Sequence, residues 1–325
     1  MIEPRFVVVT GAGGFIGHAL VAHFTRRGRP FRAVVRQRSS LPAAAPDVIV
    51  VSDLATTPEA DIETMVDGAA AIVHLAGRAH VLDETAPDPV AAYTQANVTA
   101  TLGLARAAVR QCVPRFVLAS SVKVNGEASR PSRPFVPTDA PDPRDDYARS
   151  KLAAERELAA ICNGSSTAPI VLRLPLVYGP GVKGNFAAML DEIARGRPLP
   201  LGAIKNRRSL LYVGNLVEAI DAALDTAEPP SGIHFVADAE SVSVPQLVAA
   251  AGAALGSPVR LPKVPVRLLE FAGQISGRRA LVERLTGTLE VDSTTLRAAT
   301  GWRPRHTLAE GLAATAAWWR LRHSI

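Results

Sequence analysis

The chain has 325 residues, 48% of them hydrophobic and 20% charged, with a formal net charge of +6 and two cysteines, Cys112 and Cys162. That balance excludes a disordered chain, and two cysteines supply neither a disulfide framework nor a metal-ligand cluster. No apolar run reaches the ~18 residues of a membrane span, and Met1-Ile2-Glu3-Pro4-Arg5 leads into an apolar strand rather than a signal peptide, so the expected compartment is the cytoplasm.

The first expected element is a strand over 6–9, where Phe6-Val7-Val8-Val9 is apolar and β-branched like a buried parallel strand. Thr10-Gly11-Ala12-Gly13-Gly14-Phe15-Ile16-Gly17 follows and opens a helix over 17–27. Gly11 permits a tight strand-to-helix turn, Gly14 lets a pyrophosphate approach the backbone, and Gly17 lets the helix lie close to its strand. Amides at the helix start then face the phosphates. An ordinary glycine turn does not require the strand before and the helix after, so this pattern predicts a dinucleotide site.

A second strand over 31–35 ends at Arg36, with Arg38 close behind. An acidic residue there would bind a ribose 2′-hydroxyl, whereas arginine favours a 2′-phosphate, so NADP(H) is favoured over NAD(H). Arg26, Arg27, Arg29, Arg32, Arg36 and Arg38 form the densest basic cluster, which follows the glycine motif where a phosphorylated cofactor would sit. The other basic residues are scattered, as on a solvated surface, and give no nucleic-acid footprint.

Strands over 48–51, 71–74, 116–120 and 170–174 alternate with helices over 58–65, 88–111 and 147–161. This is the pattern of an α/β fold, a Rossmann-type doubly wound parallel sheet. After Leu174, proline and glycine become frequent at Pro175, Gly179-Pro180-Gly181, Pro198, Pro200 and Gly202. A dinucleotide-binding domain is therefore expected over 1–174, and a smaller C-terminal substrate-binding lobe over 175–208 and 238–325. Residues 209–237 return to the first domain through a helix over 210–223 and a strand over 233–237. His18, His23 and His80 lack metal-ligand spacing, and Trp318-Trp319 reads as a terminal helix packing on the small lobe rather than as a membrane anchor.

Tyr147 and Lys151 are four positions apart, so on a helix they share one face. An ammonium beside a phenol favours the phenolate and is expected to lower the Tyr147 pKa toward working pH. Ser121 follows a buried strand at the carboxyl edge of the sheet, where its hydroxyl can hold a substrate oxygen beside the tyrosine. A surface Tyr/Lys pair, or a non-catalytic dinucleotide-binding module, would leave this constellation without a use.

With His74-Leu75-Ala76-Gly77, Ser120-Ser121 and the segment 208–216, these motifs resemble the extended short-chain dehydrogenase/reductases, the family of nucleotide-sugar epimerases, dehydratases and ketoreductases. The resemblance implies that Leu75, Ala76 and Gly77 join Gly11, Gly14, Phe15, Ile16, Gly17, Tyr147 and Lys151 around the cofactor, with Asp53 and Leu54 at the adenine. It also implies that Arg208, Arg284 and Asn185 contact the diphosphate or sugar of a UDP-sugar, that Lys123 lies among the substrate contacts, and that helices 88–111 and 147–161 form a homodimer. Family dehydratases carry an acidic pair where this chain has Val122 and Lys123, which argues against dehydration. Carbon-4 epimerases show Val-Tyr-Gly where this chain has Val124-Asn125-Gly126. The stretch from Ser120 to Glu127 is similar to bacterial surface-polysaccharide enzymes that reduce UDP-4-keto-6-deoxy-N-acetylhexosamines, giving sugars such as UDP-N-acetylquinovosamine. The expected activity is that 4-keto reduction with NAD(P)H. The alternative is a UDP-sugar 4-epimerase, of the UDP-glucose or UDP-N-acetylglucosamine type, with tightly held NAD.

Overall fold

In the computed structural model, which describes residues 6–41, 47–79, 86–277 and 279–323, apolar strands and alanine-rich helices alternate as the sequence predicts. The strands are β1 (Val7–Thr10), β2 (Phe31–Val35), β3 (Val48–Val50), β4 (Ala71–His74), β5 (Arg115–Ser121), β6 (Ala168–Leu174), β7 (Leu176–Tyr178), β8 (Leu210–Tyr212) and β9 (Gly232–Phe235). The helices are α1 (Phe15–Arg27), α2 (Glu59–Val66), α3 (Pro89–Tyr93), α4 (Ala100–Arg110), α5 (Asp146–Cys162), α6 (Gly184–Ala194), α7 (Val213–Asp225), α8 (Val244–Leu255), α9 (Val266–Ile275), α10 (Arg279–Thr286), α11 (Thr294–Thr300) and α12 (Leu308–His323). His80 and the leading residues 1–5 lie outside the described residues.

Seven strands pair in parallel in the order β3-β2-β1-β4-β5-β6-β9, the Rossmann-type doubly wound sheet. Side chains alternate across it because a strand has a period of two. Val7 and Val9 point into a core shared with Leu20 and Phe24 of α1 and Leu216 and Ile220 of α7, whereas Val8 joins Ile62, Leu104 and Leu158 from α2, α4 and α5 on the opposite face. A third core gathers Tyr178, Phe186, Leu190, Leu247, Val248, Leu312 and Trp319 from elements that follow Leu174. Trp319 is buried there, and its indole nitrogen donates to Asp191 at 2.8 Å, the packing expected of the terminal helix. Among the described residues no helix is long and apolar enough to cross a membrane, and no group of three or more His, Cys, Asp or Glu is arranged to hold a metal ion.

Three local expectations are corrected. The helix expected over 88–111 is interrupted by a π-type turn, Thr94–Thr99, a rare form that often marks a functional position. The run from 210 begins as a strand, because Leu210 and Leu211 are buried and pair in register with Leu176 and Val177, so the helix starts only at Val213. Most of the basic cluster does not reach the glycine motif, because α1 carries the chain back to the amino edge of the sheet. There Arg27 and Arg29 lie 3.3 and 2.8 Å from Asp221, and Arg32 donates to Asp47 at 2.8 Å. Of the cluster, Arg36 and Arg38 are the members that follow the carboxyl end of β2.

Candidate active site

The strand order reverses between β1 and β4, from which the chain continues to β2 on one side and β5 on the other, and α/β sheets bind ligands in the crevice at the carboxyl ends of such strands. The glycines of the turn after β1 serve different ends. Gly11 has a φ of +69°, and a Cβ there would lie 2.6 Å from the Ala76 nitrogen; a Cβ at Gly17 would lie 2.2 Å from the Gly11 carbonyl oxygen. Both are required for backbone to pass backbone. Gly14, the N-cap of α1, is exposed, and a Cβ there would meet only the Gly11 oxygen, at 3.1 Å. Its outer side is therefore open to an anion approaching the helix amides, which suits a dinucleotide phosphate.

Phe15 and Ile16 are half-buried and pack against the third and first cores respectively. Substituting Gly17→Ala is expected to cost about 1–3 kcal/mol through overpacking, read as a lower urea midpoint together with weaker dinucleotide binding. A Cβ at Gly13 would collide with the Ser40 hydroxyl at 2.2 Å, so the turn Arg38–Ser40 lies against the glycine loop, with Arg36 exposed just before it. Asp53 follows β3; its carboxylate accepts from the Ala55 amide at 2.9 Å and from Gln95 Nε2 at 2.6 Å. Leu54 packs partly buried against the second core.

The π-type turn places Asn97 where its amide group bonds twice to the backbone of Arg78, at 2.8 and 3.1 Å, and once to the Ser150 hydroxyl, at 2.9 Å. Ser150 in turn donates to the Tyr147 carbonyl at 2.7 Å. A Cβ at Gly77 would fall 2.7 Å from Asn97 Oδ1 and 3.5 Å from Lys151 Nζ. Asn97 therefore ties the β4 end to the first turns of α5, a role the sequence reading missed. A polar residue on an otherwise buried helix face was the available signal.

A second chain of hydrogen bonds lies beneath the crevice. The Ala76 amide donates to Thr10 Oγ1 at 3.4 Å, Thr10 Oγ1 lies 2.6 Å from His74 Nδ1, His74 Nε2 lies 3.0 Å from Thr101 Oγ1, and Thr101 donates to the Asn97 carbonyl at 2.7 Å. Since the Thr101 proton is committed to Asn97, Thr101 accepts from Nε2–H, and Thr10 donates to Nδ1. Burial, reinforced by Lys151, pushes the His74 pKa down to about 3 and keeps the ring neutral.

Tyr147 stands in the first turn of α5, capped by Asp145, whose carboxylate accepts from the Ala148 amide at 2.7 Å. Its phenol is hydrogen-bonded to the Ser121 hydroxyl, which favours the phenolate. Burial outweighs this and, with Asp145 and Tyr93 adding to it, pushes the pKa up to about 12. The shift is opposite to the one expected. Lys151 is not among its causes; its Nζ donates to the Ala119 carbonyl at 2.8 Å. Burial lowers the Lys151 pKa to about 8, opposed by the Glu155 carboxylate one turn further along α5.

Glu155 belongs to a buried polar cluster behind the strand ends. Arg173 of β6 donates to both of its oxygens, at 2.6 to 3.2 Å, and the Ser120 hydroxyl bonds it as well. The Arg173 and Glu155 side chains are 1% and 3% exposed. Arg173 Nη1 also donates to Asn125 Oδ1 at 2.8 Å.

The expected substrate residues divide. Lys123 lies 2.6 Å from Asp145 and 2.9 Å from Glu127, and these carboxylates hold its pKa above the usual lysine value. Arg208 donates to the Arg284 and Gly287 carbonyls at 2.8 and 3.1 Å; burial lowers its pKa while Glu127 opposes. The Arg284 charge helps hold Asp145 ionised. Lys123, Arg208, Arg284, Glu127 and Asp145 thus form one mixed-charge cluster next to Tyr147. Asn185 stands exposed in the first turn of α6, and no hydrogen bond among the described residues joins it to the two arginines.

A model of the NAD dependent epimerase/dehydratase family matches residues 7–237. The chain belongs to that family. A UDP-glucose 4-epimerase of Vibrio cholerae is 35% identical over 319 residues, 96% of this chain and 95% of that protein. An N-acetyl-alpha-D-glucosaminyl-diphospho-ditrans,octacis-undecaprenol 4-epimerase of Escherichia coli O157:H7 is 25% identical over 330 residues, 94% of this chain and 92% of that one. Among solved structures, MoeE5 in complex with UDP-glucose and NAD matches with a TM-score of 0.75 at 27% identity, over 98% of this chain and 99% of that chain.

Membership in the epimerase/dehydratase family does not choose a reaction. Asn125, where the chain departs from Val-Tyr-Gly, is buried and accepts from Arg173.

Proposed function

We propose that the protein is a UDP-hexose or UDP-N-acetylhexosamine 4-epimerase. The observation that carries this reading is the meeting of the Tyr147 phenol and the Ser121 hydroxyl at the carboxyl end of β5. The similarity to a UDP-glucose 4-epimerase over nearly the whole chain and to MoeE5, solved with UDP-glucose and NAD, supports a UDP-sugar substrate. When bound, a nicotinamide dinucleotide supplies a hydride acceptor and donor at carbon 4.

The Gly14, Phe15 and Ile16 amides would hold the pyrophosphate, Asp53 and Leu54 would border the adenine, and Leu75, Ala76 and Gly77 would line the nicotinamide half. Lys151 would hold the ribose. The Ser121 hydroxyl, which accepts the Lys123 amide at 3.2 Å, orients the 4-oxygen. As the phenolate, Tyr147 would take the proton from that oxygen, and as the phenol it would give it back. Arg208 and Arg284 bind the diphosphate, with Asn185 and Lys123 toward the sugar.

Because the ribose contact would rest on the Lys151 ammonium, activity is expected to depend on the charged form of Lys151. That form is lost as pH rises through about 8, so kcat/KM should fall above that pH, with the descending limb absent in Lys151→Met. The linked stability runs in the opposite sense. A lysine whose folded value lies below its ordinary 10.5 binds its proton more weakly in the native state, so it opposes folding below pH 8 and ceases to do so between about 8 and 10.5.

The second reading, reduction of a UDP-4-keto-6-deoxy-N-acetylhexosamine, is favoured by Arg36, exposed at the end of β2 beside the turn that lies on the glycine loop. One panel separates them. Interconversion of UDP-glucose or UDP-N-acetylglucosamine with its 4-epimer, without net cofactor change, is the expected result. Stoichiometric loss of NADPH with the keto sugar would install the reductase instead, and inertness to both would overturn the assignment.

A further inference from the structure

We propose that the outer face of α9 docks the protein onto an anionic bilayer surface. The ten residues of α9 carry two apolar faces. Val266 and Leu269 pack inward on the third core and Gly273 is buried, while Leu268, Phe271 and Ile275, spaced i, i+3 and i+7, point outward and are 57%, 62% and 73% exposed. Single exposed apolar residues are ordinary. Three large ones on one stripe of one helix form a patch with a use.

The charge around the stripe specifies the use. Arg260 and Lys263 on the approach to α9, and Arg267 in its first turn, are exposed and have no ion-pair partner among the described residues. The segment 257–275 contains a single carboxylate, Glu270. An apolar stripe flanked by unpaired cations fits the boundary between headgroups and acyl chains in a leaflet containing anionic lipid.

A second copy of the chain fits poorly. Three side chains on one helix fall short of the ~800 Å² per partner of a standard interface, and a two-fold contact would set each cation against its own copy. The location also has a consequence. α9 packs on α10, whose Arg284 carbonyl holds Arg208, so a protein held through α9 keeps this arginine pair one helix away from the headgroups.

The test is sedimentation with vesicles of phosphatidylcholine alone or mixed with phosphatidylglycerol, using the full chain. The wild type should co-sediment with the mixed vesicles only, and less at high salt. The triple variant Leu268→Ser, Phe271→Ser, Ile275→Ser should lose at least about tenfold in binding, since affinity scales with buried apolar area; Lys263→Glu with Arg267→Glu should lose a comparable amount. Thermal midpoints equal to wild type show that the variants are folded, so the outcome is independent of which sugar reaction the protein performs. Absence of wild-type binding, undiminished binding by the triple variant, or a wild-type dimer that the triple variant converts to monomer would each overturn the proposal.

Discussion

Tyr147→Phe should lower kcat by about 10²–10⁴-fold, the usual contribution of a positioned proton-transfer group, while the protein stays folded and keeps its affinity for the dinucleotide. The substitution removes only the hydroxyl. The ring remains 6.1 Å from Tyr93, centroid to centroid, and the capping of α5 by Asp145 is untouched. The loss should therefore fall on kcat rather than on the urea midpoint. Ser121→Ala should cost less, since it orients the oxygen without carrying the proton away. Retention of full turnover in Tyr147→Phe would remove this tyrosine from the chemistry and transfer the proton step to another group.

Arg173→Met should destabilise the fold by about 3–5 kcal/mol, because it leaves the Glu155 carboxylate buried without its cation. The double variant Glu155→Met with Arg173→Met should recover most of that loss, since an uncharged pair of similar volume has no desolvation cost to offset. Urea denaturation of the two variants measures both effects. Equal instability of the single and double variants would show that the shape of the cluster, and not its charge, holds the site. Where the double variant folds, its pH profile carries a further readout: without the Glu155 charge the descending limb set by Lys151 should move to lower pH, because Glu155 is the group that opposes its downward shift.

The sheet was legible because β-branched runs such as Phe31–Val35 and Ala71–His74 are buried on both faces and short enough to exclude a helix. The glycine turn was legible because its φ and close-approach requirements leave few alternatives to glycine. Other features depend on partners far away in sequence. Arg173 sits inside an apolar strand run, and nothing local reveals that Glu155 and Asn125 receive it. The Tyr147/Lys151 spacing gave the shared helix face but neither the bond of the Lys151 amine to the Ala119 carbonyl nor the burial that raises the phenol pKa. Arg29 and Arg32 follow the glycine motif along the chain yet stand at the far edge of the sheet, since a helix of 13 residues runs the length of the strands it covers.

The relay from Thr10 through His74 to Thr101 runs in one sense only. Each hydroxyl has a single proton, and the Ala76 amide at one end and the Asn97 carbonyl at the other fix its direction. Moving the ring proton to Nδ1 would set it against the Thr10 hydroxyl proton unless that group gave up its bond to the ring. The floor of the crevice thus has a frozen polarity, a proton sequence written into the strand ends before any ligand arrives. Nitrogen chemical shifts should report His74 as the Nε2–H tautomer at neutral pH, and a protonated Nδ1 there would contradict it.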